Sequence, residues 1–360
     1  MTVAHLLSSA DPRRSGGIGV AVGHLAAAQR RCGLAVHLCP ADAGDQRQAA
    51  LAAGAAVVHS HGLWLASSRA ARRLRRSGLP LVVTPHGMLD PWAARRRSLP
   101  KALLWWWGER RTLAGAGCLQ ALCPPEAEAL QALGLNVPVA LIPNGVDLPD
   151  PTAPLPPPPW QGRLPAGARV LLFLGRFHAK KGLDPLLQAW GRWQAEGDAS
   201  GAWLVLAGFG DGGAMERRLR RHPLPQVLTV GAVGGRQRDS CYHHAQGFVL
   251  PSHSEGLPMA AMEAMAWGLP CLLSPGCHLP EAFRVGAAWS APPDPAVLLA
   301  VLRRWQRLSP GAAAAMGAAG RRLVAGHHSW DRVAHQTAEL YGWLKGQAAR
   351  PAWVLGPSPP

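Results

Sequence analysis

Two glutamates with seven residues between them, Glu255 and Glu263, are the main chemical signal in this sequence. They lie in the stretch from Pro251 to Pro270, which reads PSHSEGLPMAAMEAMAWGLP. Carboxylates accept hydrogen bonds from hydroxyl groups, so a pair at this spacing suits the hydroxyls of a sugar and of a ribose. An isolated pair of this kind is also typical of a capped helix with one surface glutamate, so the surrounding residues must decide.

The elements around the pair would place both carboxylates beside free backbone amides. The apolar run 247–250 predicts a buried strand, and the run 259–267 after the turn predicts a helix. We expect this helix to begin near Gly256 and Leu257, where the first backbone N–H groups lack intrahelical partners. These amides and the helix dipole together favour the binding of a diphosphate.

Two cations and a glycine turn follow strands that are predicted earlier in the same half of the chain. Arg176 and Lys181 flank a loop that follows strand 170–175 and leads into a helix. Cations in loops are usually only solvated, but two of them here would neutralise a diphosphate as it gains charge on leaving. The turn with Gly208 and Gly210 follows the next predicted strand.

The N-terminal half offers a second set of candidate residues at a strand end. The apolar strand 3–9 is followed by the glycine-rich turn 15–19, which contains Gly16 and Gly17, and then by a helical run, 20–32. A strand, a glycine turn and a helix in this order can cradle a phosphate. Glycines mark tight turns far more often than ligand sites, so this signal is weak by itself.

Histidines follow two further strands of the N-terminal half. His59 and His61 lie at the end of strand 55–60, and His86 follows strand 81–84; His61 and His86 each precede a glycine. Ligands of open parallel sheets bind beyond the carboxyl ends of the strands, so we expect a site there. Each histidine taken singly is also compatible with a structural role. We do not expect a zinc pair at His59 and His61, because the sequence shows no further ligand for it.

The pattern as a whole predicts an α/β protein with two doubly wound parallel sheets, because predicted strands and helices alternate throughout. The proline-rich segment 151–167, PTAPLPPPPWQGRLPAG, cannot sustain a helix or an interior strand, and we expect it to link two domains. The predicted strands are 3–9, 34–38, 55–60 and 81–84 before this segment, and 170–175, 203–207, 227–230, 248–250 and 271–274 after it.

The motifs together resemble those of retaining GT-B glycosyltransferases, in particular the large family that includes sucrose synthase and mannosyltransferases. The Pro-Ser before Glu255, the Glu-Gly-Leu-Pro turn and the later Gly-Leu-Pro match the family's Glu–seven residues–Glu signature. Arg176 and Lys181-Gly182 match its Arg–four residues–Lys-Gly motif, which favours Lys181 over the adjacent Lys180. The segments 86–92, 108–111, 142–147 and 277–281 are similar to a subgroup that builds bacterial exopolysaccharide or O-antigen, and the similarity covers about 8–343.

The resemblance implies a GT-B fold, with two Rossmann-like domains that face each other across a cleft. It divides the chain into an acceptor-side domain, a linker, a nucleotide-sugar-binding domain, a final helix that returns to the first domain, and a disordered tail. These segments are 1–150, 151–167, 168–327, 328–346 and 349–360, respectively.

The resemblance also implies roles for individual residues. Glu263 would bind the ribose hydroxyls and Glu255 the sugar hydroxyls, while His86 would lie near the donor sugar. Arg176 and Lys181 would stabilise the leaving diphosphate. The remaining donor-binding residues would be glycines and amides at turns: Gly16, Gly17, Gly208, Gly210, Gly256 and Leu257. We expect neither a cofactor nor a metal, because the sequence has no Asp-x-Asp pair and cations can supply the charge.

Composition favours a cytoplasmic protein that acts on an anionic partner. The chain of 360 residues has seven scattered cysteines, a formal net charge of +16 and no apolar run long enough for a membrane span. We expect no signal peptide, because the first residues lack a charged start and a long apolar run. The segment Arg95–Arg111 is strongly basic and contains Trp105, Trp106 and Trp107. We therefore consider peripheral binding to an anionic membrane surface at the inner face of the plasma membrane, beside a nucleotide-sugar donor and a glycan or polyprenyl-linked acceptor.

Two other functions compete with sugar transfer. A nucleotide-sugar epimerase would share the fold, but the two cations and the two glutamates favour a transferase. A non-catalytic nucleic-acid binder or membrane-binding homologue would account for the charge, but the sequence contains no recognised nucleic-acid module.

Overall fold

The computed structural model describes residues 1–9, 11–89 and 105–357. The chain forms two compact units. The N-terminal unit comprises Met1–Gly145 and His328–Pro360, and the C-terminal unit comprises Val146–His327. The proline-rich segment predicted as a linker belongs to the C-terminal unit, where the carbonyl oxygen of Pro156 accepts a hydrogen bond of 2.6 Å from Ser240 Oγ.

The strands are β1 (Thr2–Leu7), β2 (Ala35–Pro40), β3 (Val57–His61), β4 (Leu81–Thr84), β5 (Cys118–Ala121), β6 (Val139–Leu141), β7 (Arg169–Leu174), β8 (Ala202–Ala207), β9 (Val227–Gly231), β10 (Gly247–Leu250), β11 (Cys271–Leu273), β12 (Ala288–Ser290) and β13 (Val354–Leu355). The helices are α1 (Pro12–Arg31), α2 (Gln46–Ala52), α3 (Ala66–Leu74), α4 (Arg110–Ala114), α5 (Pro124–Gln131), α6 (Leu183–Ala195), α7 (Ala214–Arg221), α8 (Gly235–His244), α9 (Met259–Ala266), α10 (Pro280–Arg284), α11 (Pro295–Gln306), α12 (Pro310–His327) and α13 (Trp330–Leu344). A π-helical turn spans Trp105–Glu109, and short 3₁₀ turns span Ala41–Ala43, Arg75–Ser77, Ala179–Lys181, Asp211–Gly213 and Pro275–Cys277.

The N-terminal unit is built on a seven-stranded sheet in the order β13-β6-β5-β4-β3-β1-β2. The ladders are parallel except for β13, which pairs antiparallel with β6. The sheet therefore confirms the predicted parallel α/β architecture. Strands β5, β6 and β13 were not predicted.

The tail predicted as disordered is ordered where it forms β13. Val354 and Leu355 pair with Ala140 and Val139 of β6, and the Val354 side chain is buried. Without this strand the outer N–H and C=O groups of β6 would lie unpaired at the sheet edge, which the added strand prevents. The expectation of a disordered 349–360 is therefore wrong at these residues.

Helix α1 differs from the predicted turn at 15–19 followed by a helix at 20–32. The helix already begins at Pro12, and its regular backbone is interrupted at Gly16, which has a φ of 60° and a ψ of −146°. Only glycine adopts this conformation readily, so Gly16 is the residue that permits the interruption. Among the described residues, no atom lies within 4 Å of the place where a Cβ of Gly16 or Gly17 would stand.

The C-terminal unit has a fully parallel six-stranded sheet in the order β12-β11-β10-β7-β8-β9. Its central strand β7 reads RVLLFL, and four of its six residues are buried, as expected for a strand covered on both faces. Strand β7 pairs with β8 on one side and with β10 on the other. The loops that follow these three strands therefore emerge at one edge of the sheet, and they carry the candidate donor-binding residues.

Part of the stretch considered for membrane insertion is in the core of the N-terminal unit. The Trp105 side chain is buried, and its ring centroid lies 6.4 Å from that of Trp64. Insertion of Trp105 into a bilayer is therefore a wrong expectation, because its indole already packs inside the protein. The side chains of Trp106 and Trp107, and the whole segment 90–104, lie outside the described residues. Each helix within the described ranges is too short or too polar to span a lipid bilayer.

Candidate active site

Lys181 and Glu255 form the centre of the candidate site in the C-terminal unit. The ammonium of Lys181 donates a hydrogen bond of 2.7 Å to Oε1 of Glu255, and Ser252 Oγ donates to the same oxygen at 2.5 Å. Both partners of the ion pair are largely buried, with side-chain exposures of 18% and 11%. A charge pair of this kind is screened less than a surface pair, so it holds both groups in one geometry.

The neighbouring positions of β7 and β10 bring these two residues together. The loop after β7 carries Lys181, the loop after β10 carries Glu255, and the His253 N–H donates to the Lys180 carbonyl oxygen at 2.8 Å. Gly182 ends the first loop with a φ of 67°, and a Cβ at this position would overlap the carbonyl oxygen of Pro251. The Lys-Gly pair seen in the sequence is thus explained by close contact between two loops.

The helix after Glu255 begins later than predicted. Helix α9 starts at Met259, with Pro258 before it in extended conformation and without a side-chain cap. Within the described residues, the backbone N–H groups of Gly256, Leu257, Met259 and Ala260 donate to no protein acceptor. The glutamate turn therefore presents free amides next to Glu255, as expected, although Gly256 and Leu257 precede the helix rather than start it. Free amides at a helix start suit an anionic ligand.

Glu263 lies within α9 and is held by two side chains of α8. The guanidinium of Arg238 lies 3.0 Å from Oε1 of Glu263, and the Tyr242 hydroxyl donates to Oε2 at 2.9 Å. Burial, together with the nearby Glu263 carboxylate, raises the pKa of Tyr242 well above its usual value, so its hydroxyl keeps the proton that it donates. The carboxylate is therefore fixed in orientation.

Arg176 and the glycine turn lie on the adjoining loops. Arg176 is exposed, and we find no ion pair to it among the described residues. The Phe177 N–H donates to the Phe209 carbonyl oxygen at 2.7 Å, which joins the loop after β7 to the turn after β8. A Cβ on Gly208 would overlap the carbonyl oxygen of Gly175, and one on Gly210 would press on the Phe177 backbone. These two glycines are thus required for the approach of the two loops.

His86 occupies a strained turn at the carboxyl end of β4. His86 and Gly87 have φ values of 56° and 72°, and the Met88 N–H bonds the Pro85 carbonyl oxygen at 3.3 Å. A left-handed conformation costs a non-glycine residue about 1 kcal/mol, so the surroundings must hold it. Glu126 does so, because its carboxylate accepts a hydrogen bond of 2.6 Å from the Gly87 N–H. Its second oxygen accepts at 2.8 Å from the Leu122 N–H.

A cluster of buried histidines lies behind His86 in the N-terminal unit. His61 Nδ1 lies 3.0 Å from His86 Nε2, and His61 Nε2 lies 2.9 Å from His5 Nδ1. Burial lowers the pKa of His5 and of His86 to about 4. Burial also lowers the pKa of His59 and His61 well below the usual value, with a further contribution from neighbouring histidines. These four rings are therefore neutral near pH 7.

The cluster contains a third histidine where the sequence suggested only a pair. His5, His59 and His61 offer ring nitrogens that all lie within 4.8 Å of one another, a spacing that would permit a metal ion. His5 pairs with His59 across strands β1 and β3, which the sequence could not reveal. The nitrogens of the three rings already have protein hydrogen-bond partners, so we treat the cluster as a hydrogen-bond network.

The structure therefore brings together some of the predicted residues and adds others. Lys181 and Glu255 are in direct contact, Glu263 is held by α8, and Arg176, Gly208 and Gly210 lie on adjoining loops of the same sheet edge. Gly16, Gly17 and His86 belong to the N-terminal unit. Residues that sequence reasoning missed are Ser252, Arg238, Tyr242, Glu126, His5 and Gln29. The rarity of tyrosine was the one sequence signal for Tyr242, because the chain has only two tyrosines.

Comparison with known proteins settles the family. A sequence profile described as "Glycosyl transferases group 1" matches residues 168–305, and one described as "Glycosyl transferase 4-like domain" matches residues 40–145. A D-inositol 3-phosphate glycosyltransferase of Actinosynnema mirum is 30% identical over 311 residues, which cover 79% of this chain and 72% of that protein. The chain belongs to the group 1 glycosyltransferases.

Other relatives of this glycosyltransferase extend the comparison. A glycogen synthase of Mycobacterium tuberculosis is 28% identical over 294 residues, which cover 79% of this chain and 68% of that protein. Sucrose-phosphate synthase from Thermosynechococcus elongatus superposes with a TM-score of 0.78 at 22% identity, covering 97% of this chain and all of that one. Anabaena HepE in complex with UDP and glucose gives a TM-score of 0.73 at 14% identity over 95% of this chain and 100% of that one. The predicted GT-B fold is thereby confirmed.

Proposed function

We propose that this glycosyltransferase moves a sugar from a nucleotide-diphosphate sugar to a hydroxyl of a glycan or lipid-linked acceptor, with retention of anomeric configuration. The observation that carries the proposal is the contact between Lys181 and Glu255 beside a turn with free amides. The cation and the unpaired N–H groups complement a diphosphate, and the carboxylate complements the hydroxyls of a sugar. We place the reaction in the building of a bacterial surface polysaccharide, on the similarity of 86–92 and 277–281 to that subgroup.

The donor would be held by its charges and its hydroxyls separately. Lys181 and Arg176, with the amides of Gly256 and Leu257, would bind the diphosphate and stabilise the charge that develops on it as it leaves. Glu255 would accept hydrogen bonds from the sugar hydroxyls, and Glu263 from the ribose hydroxyls. Solved relatives in complex with UDP, glucose or UDP-glucose make UDP-glucose the first donor to try.

Transfer would proceed on one face of the sugar and without a metal ion. We propose that the acceptor hydroxyl attacks from the face that the diphosphate leaves, and that the leaving phosphate accepts the acceptor's proton. The new glycosidic bond then forms as the bond to the phosphate breaks. Positive side chains at the diphosphate would supply the charge that a divalent cation supplies elsewhere. His86 is the residue of the N-terminal unit that we propose takes part near the donor sugar.

A panel of UDP-, GDP- and ADP-sugars measured by thermal shift tests the proposal. We expect one nucleotide series to raise the melting temperature, and expect Lys181→Met to reduce the shift. NMR of the transfer product then reports the anomeric configuration, and inversion would contradict retention. A chelator should leave the rate unchanged. Salt-sensitive binding of DNA with no response to any nucleotide sugar would instead support the nucleic-acid alternative.

We also propose that a basic face of the N-terminal unit binds an anionic surface on the cytoplasmic side of the membrane. Helix α3, the 3₁₀ turn after it and the neighbouring α4 expose Arg69, Arg73, Arg76 and Arg111, and we find no ion pair to them among the described residues. Such a face attracts anionic lipid by about 1 kcal/mol per charge near the surface. Co-sedimentation with anionic vesicles should weaken in the Arg69→Gln/Arg73→Gln/Arg76→Gln variant. Equal binding to vesicles of neutral lipid would contradict the proposal.

A further inference from the structure

The donors and acceptors of the histidine network in the N-terminal unit can be assigned one after another, starting at the final helix α13. Thr337 Oγ1 donates its hydrogen to the Ala334 carbonyl oxygen at 2.9 Å, so it can only accept from Gln29 Nε2, which lies 2.9 Å away. The amide group of Gln29 is thereby oriented with its NH₂ toward α13. Its oxygen Oε1 consequently faces His5, and Nε2 of His5 lies 2.8 Å from it.

The assignment passes from Gln29 through His5 and His61 to His86. Because an amide oxygen only accepts, His5 must carry its hydrogen on Nε2, and Nδ1 of this neutral ring is an acceptor. The donor to it is His61 Nε2, at 2.9 Å. Nδ1 of neutral His61 is then also an acceptor, and the donor to it must be His86 Nε2, at 3.0 Å. Each step leaves a single choice of tautomer.

A second branch from Gln29 gives an assignment that agrees with the first. The Tyr341 hydroxyl accepts from Gln29 Nε2 and donates at 2.7 Å to His59 Nδ1. His59 Nε2 then donates to Thr84 Oγ1 at 2.7 Å, and Thr84 donates to Gln120 Oε1 at 3.2 Å. The branch ends where Gln120 Nε2 donates to the Ile142 carbonyl oxygen. No donor of the network faces another donor, which is the condition for a stable buried polar network.

The same assignment argues against a metal ion among His5, His59 and His61. A metal needs a ring lone pair from each ligand. In the network the lone pairs of these three rings accept from His61, Tyr341 and His86, respectively. Binding a metal would break at least these hydrogen bonds inside the core.

We propose that this chain of neutral rings fixes His86 in the Nε2–H tautomer and leaves Nδ1 as a hydrogen-bond acceptor for a substrate hydroxyl or a water. Gln29, His5 and His61 are then positioning residues for His86. The role of His86 toward substrate rests on the proposed function, whereas the tautomer does not. Among the ring nitrogens of these four histidines, His86 Nδ1 is the one to which we find no hydrogen bond in the described residues.

The surroundings of His86 suit this role. The strained turn and Glu126 fix its backbone, and His61 fixes its ring. His86 lines a cavity of ≈ 10 Å³, which has room for about one water molecule, and the other polar lining residues include Thr84, Gln120 and Asn144. A ring held in one tautomer costs no reorganisation when a hydroxyl approaches, which is the advantage of a preorganised site.

NMR of the full chain labelled with ¹⁵N in histidine tests the tautomer directly. Comparison of the wild-type spectrum with that of His86→Gln identifies the His86 signals. At pH 7.5 we expect a hydrogen on Nε2 and none on Nδ1. A ring with its hydrogen on Nδ1, a doubly protonated ring or an even mixture of tautomers would overturn the proposal. The tautomer is read on the wild-type chain, and this measurement needs no sugar donor.

The Gln29→Met variant tests whether this chain of hydrogen bonds causes the tautomer of His86. It removes the amide at the start of the chain but does not touch His86, so His5 loses the acceptor that sets its tautomer. We expect a measurable fraction of His86 with its hydrogen on Nδ1, because the donors and acceptors between the histidine rings can then exchange roles. Gln29→Glu keeps an acceptor for His5 and should restore the wild-type signal. A wild-type His86 spectrum in folded Gln29→Met would overturn the causal claim.

Activity separates this inference from the proposed function. In Gln29→Met we expect kcat to fall by about tenfold with little change in the donor KM, less than the loss of 100-fold or more when a general base is removed. A correct tautomer in a protein that transfers no sugar would contradict only the proposed function. Full activity with the opposite tautomer would contradict only this inference. A zinc content of one ion per wild-type chain that is lost in His5→Gln would show a metal centre and overturn the hydrogen-bond network.

Discussion

Lys181 Nζ donates a hydrogen bond of 2.7 Å to Glu255 Oε1, although 74 positions separate the two residues in the chain. The contact joins a cation motif and a glutamate motif that the sequence shows only as separate signals. It exists because β7 and β10 are neighbours in one parallel sheet and their following loops leave the same edge. A bound diphosphate would then compete with Glu255 for the Lys181 ammonium, which makes the pair responsive to the donor.

Replacing Lys181 should impair transfer far more than replacing the adjacent Lys180. In Lys181→Met the leaving diphosphate loses a cation, and we expect kcat to fall by about 100-fold, as when one stabilising donor of a developing negative charge is removed. Lys180→Met is the matched control, because its backbone carbonyl still accepts from His253 and Lys181 keeps its hydrogen bond to Glu255. Initial rates with the donor identified by thermal shift give the comparison. Equal losses in both variants would remove Lys181 from the proposed role.

Glu263 should bind the donor through a carboxylate that Tyr242 and Arg238 orient. Tyr242→Phe removes one hydrogen bond to a charged group, worth about 1.5–3 kcal/mol, and we expect donor binding to weaken by about tenfold. Glu263→Gln should weaken it at least as much. Isothermal titration with the nucleotide sugar measures both.

The exposed pair Glu281 and Arg284 supplies a control for that experiment, because its side chains are 44% and 70% exposed in the same unit. Glu281→Gln should bind the donor as the wild type does. Unchanged affinity in Tyr242→Phe and Glu263→Gln would show that this carboxylate does not contact the donor.

Acid should destabilise the N-terminal unit before its carboxylates are protonated. The histidine pKa is about 4 for His5 and His86 in the folded state and about 6.5 in the unfolded state. The unfolded state therefore binds more protons between these values, and stability falls as pH falls from about 6.5 to about 4, by roughly 1.4 kcal/mol per pH unit for each such ring. Above pH 6.5 these rings are neutral in both states, so they do not make the free energy of unfolding depend on pH.

Urea unfolding at pH values from 7.5 to 4 measures this dependence. His5→Gln should weaken the dependence of the free energy of unfolding on pH. A free energy of unfolding that stays constant across the range would show that the four rings are not neutral and buried as described.

Gly208 should not tolerate a side chain, because a Cβ there would overlap the carbonyl oxygen of Gly175. We expect Gly208→Ala to destabilise the C-terminal unit by several kcal/mol and to displace the loop that carries Arg176. Gly311→Ala in α12 meets open space and should raise stability by about 0.5–1 kcal/mol. Thermal unfolding of both variants checks this, and equal melting temperatures would contradict the contact.

The sequence by itself determined the architecture and most of the candidate donor residues. Alternating apolar strands and helices specify a parallel sheet because each strand must be covered on both faces, and the pattern on either side of 151–167 repeats that arrangement. Glu255, Glu263, Arg176 and Lys181 were found because their spacing and flanking glycines are local. The GT-B fold and the family follow from the same local motifs.

Short edge strands and element ends were decided by tertiary contacts. Strand β13 is two residues long and exists only because β6 offers it an edge, which no local pattern records. Helix α9 begins at Met259 rather than near Gly256, because Pro258 holds an extended conformation before it. Trp105 is buried rather than available to a membrane because Trp64, 41 positions earlier, packs near it.

The orienting residues were also decided only in three dimensions. Both tyrosines of the chain hold polar groups of distant segments, with Tyr242 at Glu263 and Tyr341 at His59. His5 joins His61 across 56 positions, and Gln29 reaches Thr337 across 308. A side chain that fixes the orientation or tautomer of another needs only a hydrogen bond to it, at whatever separation the fold supplies. The sequence therefore shows which groups can do chemistry, and the tertiary structure decides how each one is held.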